Sequence, residues 1–166
     1  YNDSWAPLFE ERKNLDFLDK IIHHFSKLEE IKSFNVIGAA TVGEAYEIKK
    51  IIREMTLGYN DDFKFINTGT IDRYRSLWGI KPTRYIKNSY NKPSLSRNEL
   101  LKVHSKRYEQ ANSPKIVIGG MSKFLECFLD KDGQYVSGKS TTIILGESLN
   151  FLKILIGILN SRLISV

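Results

Sequence analysis

Apolar residues recur at three- and four-residue spacing over Leu15, Leu18, Ile21, Ile22, Phe25, Leu28 and Ile31. That spacing predicts an amphipathic helix over 15–31, with Asn14 as its cap. A short apolar run at 36–40 predicts a strand. Thr41-Val42-Gly43-Glu44 has the spacing of a capping box. Ala45, Ile48, Ile51, Ile52 and Met55 supply the buried face of the helix it starts, and Gly58 and Asn60 are its expected stop. Residues 63–66 read as a strand and Asn67-Thr68-Gly69 as a turn. From 80 to 97 no period holds, Pro82 and Pro93 interrupt the chain, and an irregular segment is expected. Long segments of that kind in compact domains tend to carry function or to be disordered.

Further along, Asn98 is read as the cap of a helix over 99–110, whose exposed side is expected to carry Lys102, Lys106 and Arg107. A strand at 116–118 runs into Gly119-Gly120. Segments 124–129 and 134–136 flank Asp130-Lys131-Asp132-Gly133, a hairpin signal. Residues 141–145 form a β-branched strand, and Ser148 caps an apolar helix over 149–163. Its most apolar stretch contains Asn150 and Lys153 and falls short of the about 20 apolar residues a bilayer requires, so it is read as a buried helix and no membrane contact is expected. The elements predict an α+β fold: a mixed, mostly antiparallel sheet with flanking helices.

Charge sharpens this picture. The chain has 166 residues, enough to bury a core, and a net charge of +6. It starts at Tyr1 rather than Met and is read as a piece of a longer polypeptide. The excess is local. Residues 73–115, with Lys115 the last cation, hold 11 Lys/Arg and 2 acids, a net of +9, whereas residues 1–62 carry −4. Tyr74, Trp78, Tyr85, Tyr90 and Tyr108 interleave with the cations. Arg and Lys neutralise phosphates and read base edges, and aromatic and polar neighbours contact sugar and bases. Trp78 is expected to pack inward.

Catalytic chemistry is sparse. Cys127 is the lone cysteine, so neither an intrachain disulfide nor a cysteine metal site forms, and a reducing cytoplasm is the expected compartment. His23 and His24 are adjacent and do not face one target on a helix. Gly133-Gln134-Tyr135-Val136-Ser137-Gly138-Lys139-Ser140 matches the phosphate-loop spacing G-x-x-x-x-G-K-S. That loop requires a helix after the Ser, but Thr141-Thr142-Ile143-Ile144-Leu145 favours a strand, and no Asp follows to hold magnesium. The match is read as chance. No metalloprotease or nucleophile-elbow motif occurs, nor does Asn-Pro-Pro-Tyr or a glycine-rich loop for S-adenosylmethionine.

Four short motifs stand in a recognisable order. Phe65-Ile66-Asn67-Thr68-Gly69-Thr70-Ile71-Asp72-Arg73-Tyr74, with Trp78, comes first. Pro114-Lys115-Ile116-Val117 follows, then Asp130-Lys131-Asp132-Gly133-Gln134-Tyr135, and last Ile158-Leu159-Asn160-Ser161-Arg162-Leu163-Ile164. In these the chain resembles the TaqI-like C-terminal specificity (target-recognition) domain of type II and type IIG restriction–modification DNA methyltransferases. The segment 36–46, with Gly38 and Gly43, resembles the entry to such domains. The resemblance covers 36–166 and leaves 1–35 as a connecting helical segment. It implies a bacterial module that reads double-stranded DNA and positions a base, adenine for N6 methylation, for a catalytic domain absent here. That domain would bind S-adenosylmethionine and flip the base, and the parent would be a methyltransferase, alone or fused to an endonuclease. The fragment itself is expected to have no cofactor, no metal and no catalytic residue.

The expected DNA-binding residues are Arg73, Arg75, Lys81, Arg84, Lys87, Asn91, Lys92, Arg97 and, past the double glycine, Lys123. Two other readings stand beside this one. A protein-docking module would use the basic face on an acidic partner. A nucleotide-dependent enzyme would rest on Lys139.

Overall fold

The computed structural model describes residues 23, 30, 33–55, 61–122 and 124–161. Apart from His23 and Glu30, the predicted helix 15–31 lies outside the described residues, as do Gly58, Asn60 and Lys123. The chain divides into a unit of residues 1–32 and a unit of residues 33–166, and the second is described here. Its boundary precedes 36 because the first strand, β1 (Phe34–Gly38), begins at Phe34.

The fold is α+β, with twelve strands and four helices among the described residues. One four-stranded sheet is antiparallel throughout, in the order β1, β12 (Thr141–Gly146), β9 (Lys115–Gly119), β10 (Cys127–Asp130). The other is mixed, in the order β11 (Tyr135–Ser137), β3 (Phe63–Ile66), β8 (Pro93–Leu95), β2 (Arg53–Glu54). Two hairpins complete the set: β4 (Ile71–Asp72) with β5 (Arg75–Ser76), and β6 (Thr83–Tyr85) with β7 (Asn88–Tyr90). Two cores follow. Phe63, Phe65 and Leu95 of the mixed sheet pack with Ala45, Ile48, Leu100 and Ala111 of the helices. Val117, Phe128 and Ile143 of the antiparallel sheet pack with Ala39, Ile66 and Ile71. The last helix, α4 (Leu149–Leu159), lies on the antiparallel sheet against β9, β10 and β12. No helix among the described residues is long and apolar enough to cross a membrane.

Helix α1 (Val42–Ile51) starts as the sequence predicts. The Thr41 N–H donates to Glu44 Oε2 at 2.6 Å and the Glu44 N–H donates to Thr41 Oγ1 at 3.4 Å. It stops earlier than its apolar spacing predicts, because Arg53 and Glu54 pair with Ser94 and Pro93 as β2. Glu54 holds that position by accepting the N–H groups of Asn91 (2.6 Å) and Lys92 (2.8 Å).

The predicted helix 99–110 is two helices, α2 (Arg97–Val103) and α3 (Ser105–Asn112), broken at His104 with φ −150° and ψ 87°. The His104 ring nitrogen lies 2.5 Å from Glu47 of α1. Breaking the helix shifts its phase, and Arg107 turns inward rather than outward. Its guanidinium donates to Glu44 (2.6 Å), Gln110 (2.6 Å) and the Gly38 carbonyl (3.3 Å).

The predicted hairpin around Asp130–Gly133 is instead an arch between the sheets. β10 pairs with β9, whereas β11 runs parallel to β3. The Asp130 carboxylate fastens the arch by accepting the N–H groups of Gln134 and Tyr135, both at 3.0 Å, and the Lys115 ammonium at 2.5 Å. Gly133 has φ +62°, and a Cβ there would lie 2.3 Å from the Asn112 carbonyl oxygen, so only glycine fits.

Candidate nucleic-acid interface

Several strand ends meet at one edge of the unit, where two of the candidate residues, Arg84 and Lys87, also lie. β3 and β11 run parallel and end together, with Ile66 opposite Ser137 and the Gly138 N–H donating to the Ile66 carbonyl. β9 ends where β12 begins, with Gly119 opposite Thr141. The Gly120 N–H and the Thr68 hydroxyl both donate to the Ser140 carbonyl, at 3.0 and 2.6 Å. The end of β1 joins the same edge through the Ala39 N–H, which donates to the Thr141 carbonyl. Asn67, Lys139, Ser140 and the N-terminus of α1 therefore share one rim.

The β6–β7 hairpin is fixed to this rim. Asn67 Nδ2 donates to the Arg84 carbonyl at 3.1 Å, and Tyr85 stacks edge-on against Phe65 with centroids 4.6 Å apart. Gly138 permits the approach: a Cβ there would lie 2.7 Å from Asn67 Oδ1 and 3.1 Å from the Tyr85 ring. The hairpin turn is Ile86-Lys87, both left-handed at φ +40° and +65°. Two left-handed residues match a tight two-residue hairpin. A β-branched residue there is strained, and neither Asn nor Gly marks the turn.

Between this hairpin and α1 lies a cleft of about 540 Å³, lined by Val42, Ala45 and Tyr46 on one side, Arg84 to Ser89 on another, and Asn67, Lys139 and Ser140 at the rim. Its lining holds Arg84, Lys87 and Lys139 and no carboxylate. Tyr46 is exposed, whereas Tyr85 is 5 % exposed. Asn67 Oδ1 is buried without a hydrogen-bond partner, and the Tyr85 hydroxyl is buried beside the Lys139 backbone N–H. Burial pushes the Tyr85 phenol up to about 12, opposed by the nearby Lys139 backbone N–H, so it stays a neutral donor at physiological pH.

The second hairpin, β4–β5, turns at Arg73-Tyr74. Tyr74 has φ +64° and its N–H donates to the Cys127 carbonyl. Asp72 clamps the base of the turn. It accepts the Arg73 N–H at 2.8 Å and grips Arg75 through Nε (3.0 Å) and Nη2 (2.9 Å). These bonds, the backbone N–H first, lower the Asp72 pKa. The Arg73 guanidinium lies 5.9 Å from the Phe124 ring centroid. Tyr74, Met121 and Phe124 are exposed, Met121 at 82 %.

The candidate cations sort into three sets. Lys81, Arg84, Lys87 and Lys92 are exposed on the hairpin segment, and none takes part in an ion pair among the described residues. Arg73 and Arg75 belong to the β4–β5 turn. Arg97 is committed internally: it donates to the Asp61 carbonyl (2.7 Å) and Asn112 (2.8 Å) and covers the Phe63 ring at 4.0 Å. Asn91 is exposed with its N–H given to Glu54. Arg107 and Lys115 add nothing to the basic face, since both are buried and paired with Glu44 and Asp130. Burial draws the Lys115 pKa down, opposed by Asp130. Trp78 packs inward as expected, its Nε1 donating to the Pro93 carbonyl at 2.8 Å.

Sequence reasoning missed Tyr46 and Lys139 as members of the rim. The phosphate-loop spacing did single out Lys139, through a structure that does not form. The strand β12 follows Ser140 where a helix would have to begin. Among the described residues no group of three or more His, Cys, Asp and Glu is placed to hold a metal. The chain matches no protein-family model and no curated protein.

Proposed function

We propose that residues 33–166 form a double-stranded DNA recognition domain of a restriction–modification methyltransferase of the TaqI-like type. The observation that carries this reading is the set Lys81, Arg84, Lys87 and Lys92, all exposed and none in an ion pair among the described residues, together with the Arg73–Arg75 turn. Exposed cations along one segment suit phosphates spaced along a duplex, and hairpin tips are narrow enough to enter a major groove. Arg73, Tyr74 and Arg75 are the best-placed base readers, because the Asp72 clamp holds the Arg75 fork in one orientation. Arg97 belongs to the scaffold.

On this reading the domain works in the cytoplasm and positions an adenine for a separate catalytic domain, which supplies S-adenosylmethionine and methyl transfer. The cleft itself does not fit that cofactor. Its sulfonium and ammonium groups would face Arg84, Lys87 and Lys139 with no carboxylate to balance them.

A second reading, a protein-docking module, draws support from α4, whose exposed residues include Phe151, Ile154 and Ile158 at helical spacing. Selection from a pool of random duplexes at low and moderate salt decides. Enrichment of one short motif, with affinity falling steeply in salt, is the expected result. Absence of binding at low salt refutes the DNA reading and leaves docking.

A further inference from the structure

The cleft between α1 and the β6–β7 hairpin asks for an occupant that duplex phosphates do not supply. Its volume of about 540 Å³ falls within the range of about 300–1,000 Å³ typical of small-ligand sites. A phosphate backbone running over a surface needs no cavity. Three features point to one kind of ligand. Arg84, Lys87 and Lys139 are exposed cations with no acid in the lining, and they come from two separate turns. The N-terminal turn of α1 opens onto the same space through Val42, adding the positive end of a helix dipole. Tyr46 offers an exposed aromatic ring.

From this we infer that the cleft holds one unpaired nucleotide of a bound nucleic acid. Its phosphate lies among Arg84, Lys87 and Lys139, and its base lies against Tyr46. Side-chain cations take the place that backbone amides occupy in a phosphate loop, which is why Lys139 matters although the strand after it excludes that loop. An unpaired base stacks on an aromatic ring whatever its identity, so the cleft reads the unpaired state of a nucleotide rather than its sequence. The strained turn fits this role. Ile86 packs on the core while Lys87 is held out over the cleft.

This inference rests on the DNA reading, and its test separates the two. The full 166-residue chain is titrated with a paired duplex and with the same duplex carrying one bulged 2-aminopurine nucleotide. The bulged duplex is expected to bind roughly tenfold tighter, with 2-aminopurine emission quenched by stacking. Tyr46→Ala restores the emission and removes most of the preference. Lys139→Ala weakens the bulged complex more than the paired one. Lys87→Gly is the control for folding: it relieves a left-handed lysine, so it keeps or raises the melting temperature while weakening binding. Equal affinity for the two duplexes, or emission indifferent to Tyr46, overturns the cleft proposal and leaves duplex recognition standing. Failure of both duplexes to bind at low salt overturns both.

Discussion

Lys115→Met is the perturbation that best separates structural cations from interface cations. Lys115 is 1 % exposed and its ammonium meets Asp130 Oδ2 at 2.5 Å, the Ala111 carbonyl at 2.8 Å and the Ser113 carbonyl at 3.3 Å. Asp130 is 3 % exposed and also fastens the arch through Gln134 and Tyr135. Met keeps the stem and its packing but leaves the carboxylate without its counter-charge. Breaking a buried pair in this way costs about 3–5 kcal/mol. Adding Asp130→Asn removes the stranded charge and keeps an acceptor for the two N–H groups, so the double variant recovers to within about 1–2 kcal/mol of the parent. In urea, with a slope of about 2 kcal/mol/M, the single variant should lower the midpoint by about 2 M. Because Lys115 is internal, the salt dependence of duplex binding should not change in the folded variant. A midpoint shift below about 0.5 M, or a double variant less stable than the single one, would refute the pairing argument.

Three further outcomes are expected. The Glu44 carboxyl is held down from 4.5 to about 2, first by its hydrogen bond to Arg107. Its folded pKa is depressed, so the stabilisation is present above pH 4.5 and is lost as pH falls from 4.5 towards 2. The shift corresponds to on the order of 3 kcal/mol, and Arg107→Met should flatten that limb of the stability–pH curve measured by urea denaturation. Cys127 is fully buried, and burial pushes its thiol up to about 11. A thiol reagent at neutral pH should therefore label it only at the rate of unfolding, and labelling at the rate of a free thiol would contradict the burial. Gly133→Ala sets a Cβ against the Asn112 backbone at φ +62°. It should cost on the order of 2 kcal/mol or more, read as a drop in melting temperature, whereas Gly69→Ala, with open space around it, should cost far less.

Elements governed by near neighbours were legible in the sequence. The Thr41–Glu44 capping box, the Phe63–Ile66 strand and the β-branched run at 141–145 formed as read, because each depends on contacts a few residues away. Errors arose where a distant partner decided. Glu44 lies 63 positions from Arg107 and turns it inward, and β8 converts the end of the predicted α1 into a strand. Asp130-Lys131-Asp132-Gly133 carries hairpin residues, yet β3 and β9 claim the flanking strands for different sheets. The β6–β7 turn was invisible because Ile86-Lys87 has none of the residues that favour positive φ. The basic segment was legible as composition. Which cations were spent on Glu44, Asp61 and Asp130 was not, because burial is not a property of the segment alone.

The antiparallel sheet is closed by its first and last strands in chain order. Phe34 sits opposite Gly146, 112 positions later, and β12 then bridges β1 to β9. A contact of that span is costly to close and slow to find. On a ribosome adding about 5–20 residues per second, β1 waits roughly 6–22 s for its partner to be made. Throughout that interval its hydrogen-bonding edge is open to other chains. A nascent chain stalled before residue 141 would retain the β9–β10 pair but leave both edges of β1 unpaired, and the last strand to emerge is what covers one of them, with β1 remaining the edge strand of the sheet.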